Sequence, residues 1–135
     1  MALIDWSNDL SVNIQEVDKQ HKILINLINK LHEAMRVGQG KAALESILAE
    51  LVVYTKTHFA YEESLFAQYG YPASASHKKE HDDLTTTVVD TQKQYHAGQL
   101  VMSVEVLQFL KQWLTKHIQM TDKAYTAHFK SKGVV

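Results

Sequence analysis

The sequence predicts an all-α protein, an up-down-up-down antiparallel four-helix bundle preceded by an irregular N-terminal arm. Three observations carry that prediction. Strong breaker clusters occur only at Gly38-Gln39-Gly40, Gly70-Tyr71-Pro72 and Ala97-Gly98-Gln99 before the terminal Gly133, and such clusters interrupt regular structure. Between them, apolar side chains recur in alternating steps of three and four, which places them on one stripe of a helix. No run shows the β-branched alternation of a strand. Four such helices joined by short turns bury their stripes by packing antiparallel at about +20°.

The elements follow in order. Residues 1–17 read as the arm, with Asp18 as N-cap of a first helix over 18–37. The seam of that helix is His21, Leu24, Ile28, Leu31 and Met35. A second helix over 41–66 steps through Leu44, Leu48, Leu51, Thr55, His58, Glu62 and Leu65. The third, over 74–96, opens at Ser74 and steps through His77, His81, Leu84, Val88, Thr91 and Tyr95. Ser103, with Glu105 behind it, opens a fourth over 103–130, whose seam is Leu107, Leu110, Leu114 and His117. At 135 residues, one domain over 1–135 is expected, since chains run to ~100–200 residues per domain.

Composition removes several functions. Fourteen Lys and Arg against fifteen Asp and Glu leave a net charge of −1, which argues against a nucleic-acid binder that tracks phosphates with clustered positive charge. Cysteine is absent, so disulfides, thiolate ligands and thiol nucleophiles are excluded. No stretch approaches the ~20 apolar residues of a membrane helix. The start, Met1-Ala2-Leu3-Ile4-Asp5-Trp6, lacks the basic segment of a secretory signal. A cytoplasmic location without membrane insertion is therefore expected, and a monomer, because the seams are satisfied within one chain. Phosphate-loop, nucleophile-elbow and zinc-protease motifs do not occur.

The unusual number is eight histidines. His21, His58, Glu62, His77, His81 and His117 occupy seam positions otherwise filled by Leu, Ile and Val. Burying them unpaired would cost several kcal/mol in total, about 1–3 for each group. One histidine on an apolar face is usually a satisfied core residue, but here every helix supplies one. In an antiparallel bundle all of them arrive towards the same end. His58-x3-Glu62 and His77-x3-His81 each project two donors from one helical face. Five imidazoles and a carboxylate exceed the four ligands of a zinc ion. They suit two carboxylate-bridged ions of a metal that accepts nitrogen and oxygen, such as iron or manganese. Asp122 is the candidate for a second bridge. It lies five residues after His117, about 140° round an ideal helix, and a drift of the inward face onto Ile118, Asp122, Tyr125 and Phe129 is expected to bring it in.

The ordered pattern His21, His58-x3-Glu62, His77-x3-His81, His117-x4-Asp122 resembles the hemerythrin family in its single-domain bacterial form, over nearly the whole chain from Trp6 onward. The resemblance implies two iron ions. His77, His81 and His117 would hold one, His21 and His58 the other, and Glu62, Asp122 and an oxo or hydroxo group would bridge them. It also implies an open position for dioxygen on the second iron, lined by Leu24, Phe59, Trp113, Leu114 and Ile118. Reversible carriage or storage of oxygen is the expected function, possible delivery being to an oxygen-consuming enzyme, and catalysis is not expected. The Glu-x-x-His motifs of the oxygen-activating ferritin-like sites are absent from the sequence. A sensor acting through a separate partner, and a di-iron redox enzyme or iron store, are the alternatives. His32, His96, His128, Glu63 and the run Lys78-Lys79-Glu80 with Asp82-Asp83 are expected to be solvated.

Overall fold

The computed structural model describes residues 3–135; Met1 and Ala2, the start of the predicted arm, lie outside them. Helix α1 is Gln15–Arg36, α2 is Lys41–Tyr69, α3 is Ser74–His96 and α4 is Val104–Lys116. The chain continues through a π-helical turn, His117–Thr121, and a 3-10 turn, Asp122–Tyr125, into α5, Thr126–Ser131. Among the described residues there is no strand, and α1 packs on α2, α2 on α3 and α1 on α4. The all-α four-helix architecture is thus the one the periodicity predicts. Among the same residues no helix is long and apolar enough to cross a membrane.

The core is the seam. Leu24, Ile28, Leu31, Leu48, Leu51, Val88, Leu107 and Leu110 are at most 1% exposed. The turn after α2 requires a left-handed residue, and Gly70 supplies it at φ 62°, a conformation that costs a Cβ-bearing residue energy. Ser103 caps α4 as expected, its hydroxyl accepting from the Val106 N–H at 3.3 Å. Ser74 is the first residue of α3, and the N-cap is Ala73 without a side-chain bond.

Asp18 corrects an expectation. Helix α1 begins three residues earlier, after Ile14, and Asp18 lies in its first turn. The carboxylate there accepts from the Ser11 hydroxyl at 2.6 Å and the Val12 N–H at 2.8 Å. It therefore pins the arm instead of capping the helix. Asn29 holds the arm again by a pair of bonds with the Ile4 backbone, 2.8 and 2.9 Å long, and Ile4, Leu10, Val12 and Ile14 are buried.

Candidate metal centre

The structure brings all seven predicted polar residues into one buried cluster at the end of the bundle where α1 and α3 begin and α2 ends. His21, His58, Glu62, His77, His81, His117 and Asp122 are each no more than 4% exposed. Their ligand atoms form two overlapping sets. One comprises Glu62, His77, His81, His117 and Asp122, the other His21, His58, Glu62 and Asp122. Within each set the atoms lie within 4.8 Å of one another, and the two carboxylates belong to both.

The cluster is not a hydrogen-bond network. The Nε2 atoms approach carboxylate oxygens closely: His21 and His77 to Asp122 at 3.0 Å, His117 to Asp122 at 3.0 Å, His58 and His81 to Glu62 at 3.1 and 3.2 Å. Yet all five Nε2 atoms, Glu62 Oε1 and both Asp122 oxygens are buried without a well-aligned hydrogen-bond partner among the described residues. Such orphaned groups are costly. Ligands at right angles around an ion at ~2.1 Å stand ~3.0 Å apart, so the observed separations are those of donors aimed at shared cations. The donor set, imidazole with carboxylate, suits iron or manganese.

Electrostatics agree. Burial pushes the Asp122 and Glu62 carboxyls up, but the facing imidazoles, His117 for Asp122 and His58 for Glu62, override it and hold both carboxyls below their ordinary range. Burial lowers His117, and Asp122 and Glu62 more than reverse that, raising it to about 9. Without metal His117 holds its proton, and a cation entering the cage displaces it. Burial and the neighbouring carboxylates also push the Tyr125 phenol well up, which keeps it a donor to Glu62 Oε2.

The π turn explains how Asp122 reaches the cage. The expected seam drift is not the cause. The Asp122 N–H bonds back to the His117 and Ile118 carbonyls, and the five-residue bonding step of a π turn accommodates the extra residue that an α-helix would carry out of line. Four other expectations also change. Glu63 is not merely solvated, because its Oε2 accepts from His81 Nδ1 at 3.0 Å. Glu80 likewise accepts from His117 Nδ1 at 2.6 Å and from the Thr121 hydroxyl at 2.7 Å. His128 is half-buried and donates to the Tyr69 carbonyl at 2.8 Å. His32 is half-buried with a buried Nδ1, while His96 is exposed.

Gln20 is a partner that sequence reasoning missed, its Oε1 accepting from His58 Nδ1 at 2.7 Å. Tyr125 had been placed only on the inward face. The sequence signal for these partners is weak: Glu63 and Glu80 each adjoin a ligand in the chain, but so do residues that face solvent. Of the predicted pocket residues, Leu24, Leu114 and Ile118 are at most 3% exposed, and Phe59 and Trp113 are buried too. Phe59 stacks on the His81 ring at 3.9 Å between centroids and also meets His117 edge-on.

A four-helix protein with a buried cage of five imidazoles and two shared carboxylates is, by construction, a metal-binding bundle. The family model described as Hemerythrin HHE cation binding domain matches residues 12–128, and the chain belongs to the hemerythrin family. Bacteriohemerythrin from Stenotrophomonas maltophilia is 37% identical over 131 residues, covering 97% of this chain and 84% of that protein. Bacteriohemerythrin from Methylococcus capsulatus is 35% identical over 126 residues, covering 93% and 95%. A crystal structure of wild-type hemerythrin superposes with a TM-score of 0.87 at 34% identity, covering 93% of this chain and 97% of that one.

Proposed function

We propose that this chain binds dioxygen reversibly at a di-iron centre and acts as an oxygen carrier or store in the cytoplasm. His77, His81 and His117 would hold one iron and His21 and His58 the other, with Glu62 and Asp122 available to both. The observation that carries the reading is the asymmetry of the cage, three imidazoles in one set against two in the other around the same carboxylates. With equal bridges, the two-imidazole ion is one ligand short, and an open position is what a ligand-binding centre needs. When bound, the irons supply the electrons that oxygen takes up on binding and returns on release.

The chain's residues do the rest. Tyr125 fixes the orientation of Glu62 through its hydroxyl, and Gln20, Glu63 and Glu80 fix the rings of His58, His81 and His117. Leu24, Leu114 and Ile118 exclude water, which would otherwise promote irreversible oxidation. The test is to reduce the iron-loaded protein anaerobically, admit oxygen, and follow the visible spectrum through repeated cycles of oxygen removal. A band that appears with oxygen and disappears on its withdrawal is expected. Irreversible oxidation, or turnover far beyond one equivalent per site, would contradict carriage.

A further inference from the structure

The two sets of imidazoles differ in what stands behind them. In the three-imidazole set, His81 and His117 each donate Nδ1–H to a carboxylate, Glu63 at 3.0 Å and Glu80 at 2.6 Å. In the two-imidazole set, His58 donates to the neutral amide of Gln20 at 2.7 Å, and the buried Nδ1 of His21 has no partner among the described residues. The contrast is one of charge, two carboxylates against none, at similar hydrogen-bond lengths.

Glu80 is the more firmly built of the two carboxylates. The oxygen that accepts from His117 also accepts from the Thr121 hydroxyl at 2.7 Å, and Thr121 closes the π turn that delivers Asp122. One carboxylate of α3 thereby fixes both a ring and the turn beside it. An imidazole whose outer N–H rests on a carboxylate becomes a more basic, more electron-donating ligand, whereas an amide oxygen fixes the ring without adding charge.

We infer that Glu63 and Glu80 are positioning residues that bias the electron distribution of the metal pair, favouring the higher oxidation state at the three-imidazole ion, while Gln20 keeps His58 a weaker donor at the ion with the open position. This rests on the di-iron reading above. The division has a chemical consequence. The ion that never meets the ligand would be held more firmly when oxidised, and the ion that does meet it would regain its electron more easily when oxygen leaves.

The test uses the full chain loaded with iron, comparing wild type with Glu63→Gln/Glu80→Gln, Glu80→Asp and Gln20→Glu. Glutamine can still accept from Nδ1–H, so the double variant removes charge while keeping the ring's orientation. Iron per chain is measured first, then the ratio of oxidised to reduced iron at a fixed applied potential. The double variant should keep its iron and shift the ratio about tenfold or more towards reduced. Gln20→Glu should shift it the opposite way, and Glu80→Asp should stay near wild type. A full iron content with an unchanged ratio in the double variant would overturn the inference. Where the double variant loses iron, Gln20→Glu decides, and no shift or a shift towards reduced overturns it. A wild-type chain that takes up no iron pair would instead contradict the di-iron reading, and this inference would fall with it.

Discussion

The second and fourth helices each bring one imidazole and one carboxylate to the cage, by different means. Helix α2 runs unbroken for 29 residues, and His58 and Glu62 stand four apart on one of its faces. The fourth arm must carry His117 and Asp122 five apart, and it passes from α through π to 3-10 geometry in doing so. A spacing that matches the helical period uses the helix as it is. A spacing one residue too long is accommodated by the backbone, and the ligand keeps its place. Side chains hold the irregular stretch: Thr121 bonds Glu80, Tyr125 bonds Glu62, and Thr126 bonds the Val12 carbonyl at 2.8 Å. Helix α2 needs no such bracing.

Removing the carboxylate from either arm should have the largest effect. Glu62→Ala and Asp122→Ala each delete a group common to both ligand sets, so iron per chain should fall far below wild type, whereas exposed His96→Ala leaves it unchanged. Equal iron content in all three would break the assignment.

The residue following each imidazole offers a finer comparison. Phe59 follows His58 on the regular helix, and Ile118 follows His117 in the π turn; they are 5% and 0% exposed. Truncation to alanine should cost about 3–5 kcal/mol for Phe59 and about 2–5 kcal/mol for Ile118, read by urea denaturation. Ile118→Ala should in addition hasten oxidation of the reduced centre with its iron intact. An unchanged oxidation rate would mean that Ile118 does not guard the site.

Tyr125→Phe removes one brace of the irregular arm and leaves Glu62 Oε2 without its donor. A loss of about 1–3 kcal/mol is expected in the metal-free protein, the cost of an unsatisfied buried acceptor. No change in the denaturation midpoint would show that the brace is idle. Smallest is Ser103→Ala at the regular start of α4, which should cost about 1 kcal/mol through loss of its cap. A larger loss than that of Tyr125→Phe would invert the proposed ranking of the two regions.

These contrasts also show what a sequence can reveal. Burial follows from the three-four stepping, so the bundle and the meeting of six polar residues at one end were readable from periodicity, whereas Asp122 stood out of phase and was only a candidate. The π turn was not readable. The five-residue gap between His117 and Asp122 marks a misfit, but a gap alone does not say whether the helix drifts, bends or widens. Partners of the imidazoles were hidden for a different reason: Gln20, Glu63 and Glu80 look like ordinary surface residues, and only the packing of α1, α2, α3 and the π turn decides which ring each one meets. Asp18 misled for a related reason. Its capping chemistry was read along the chain, while its actual partners, Ser11 and Val12, come from the arm folding back.

The central claim is that one cage holds two irons through shared carboxylates. Anomalous diffraction at the iron absorption edge, on crystals of the iron-loaded protein, tests it most directly. Two peaks are predicted, one ringed by His77, His81 and His117, the other by His21 and His58, with Glu62 and Asp122 between them. A single peak, or iron seated outside at Glu63 or Glu80 with the cage empty, would contradict the account.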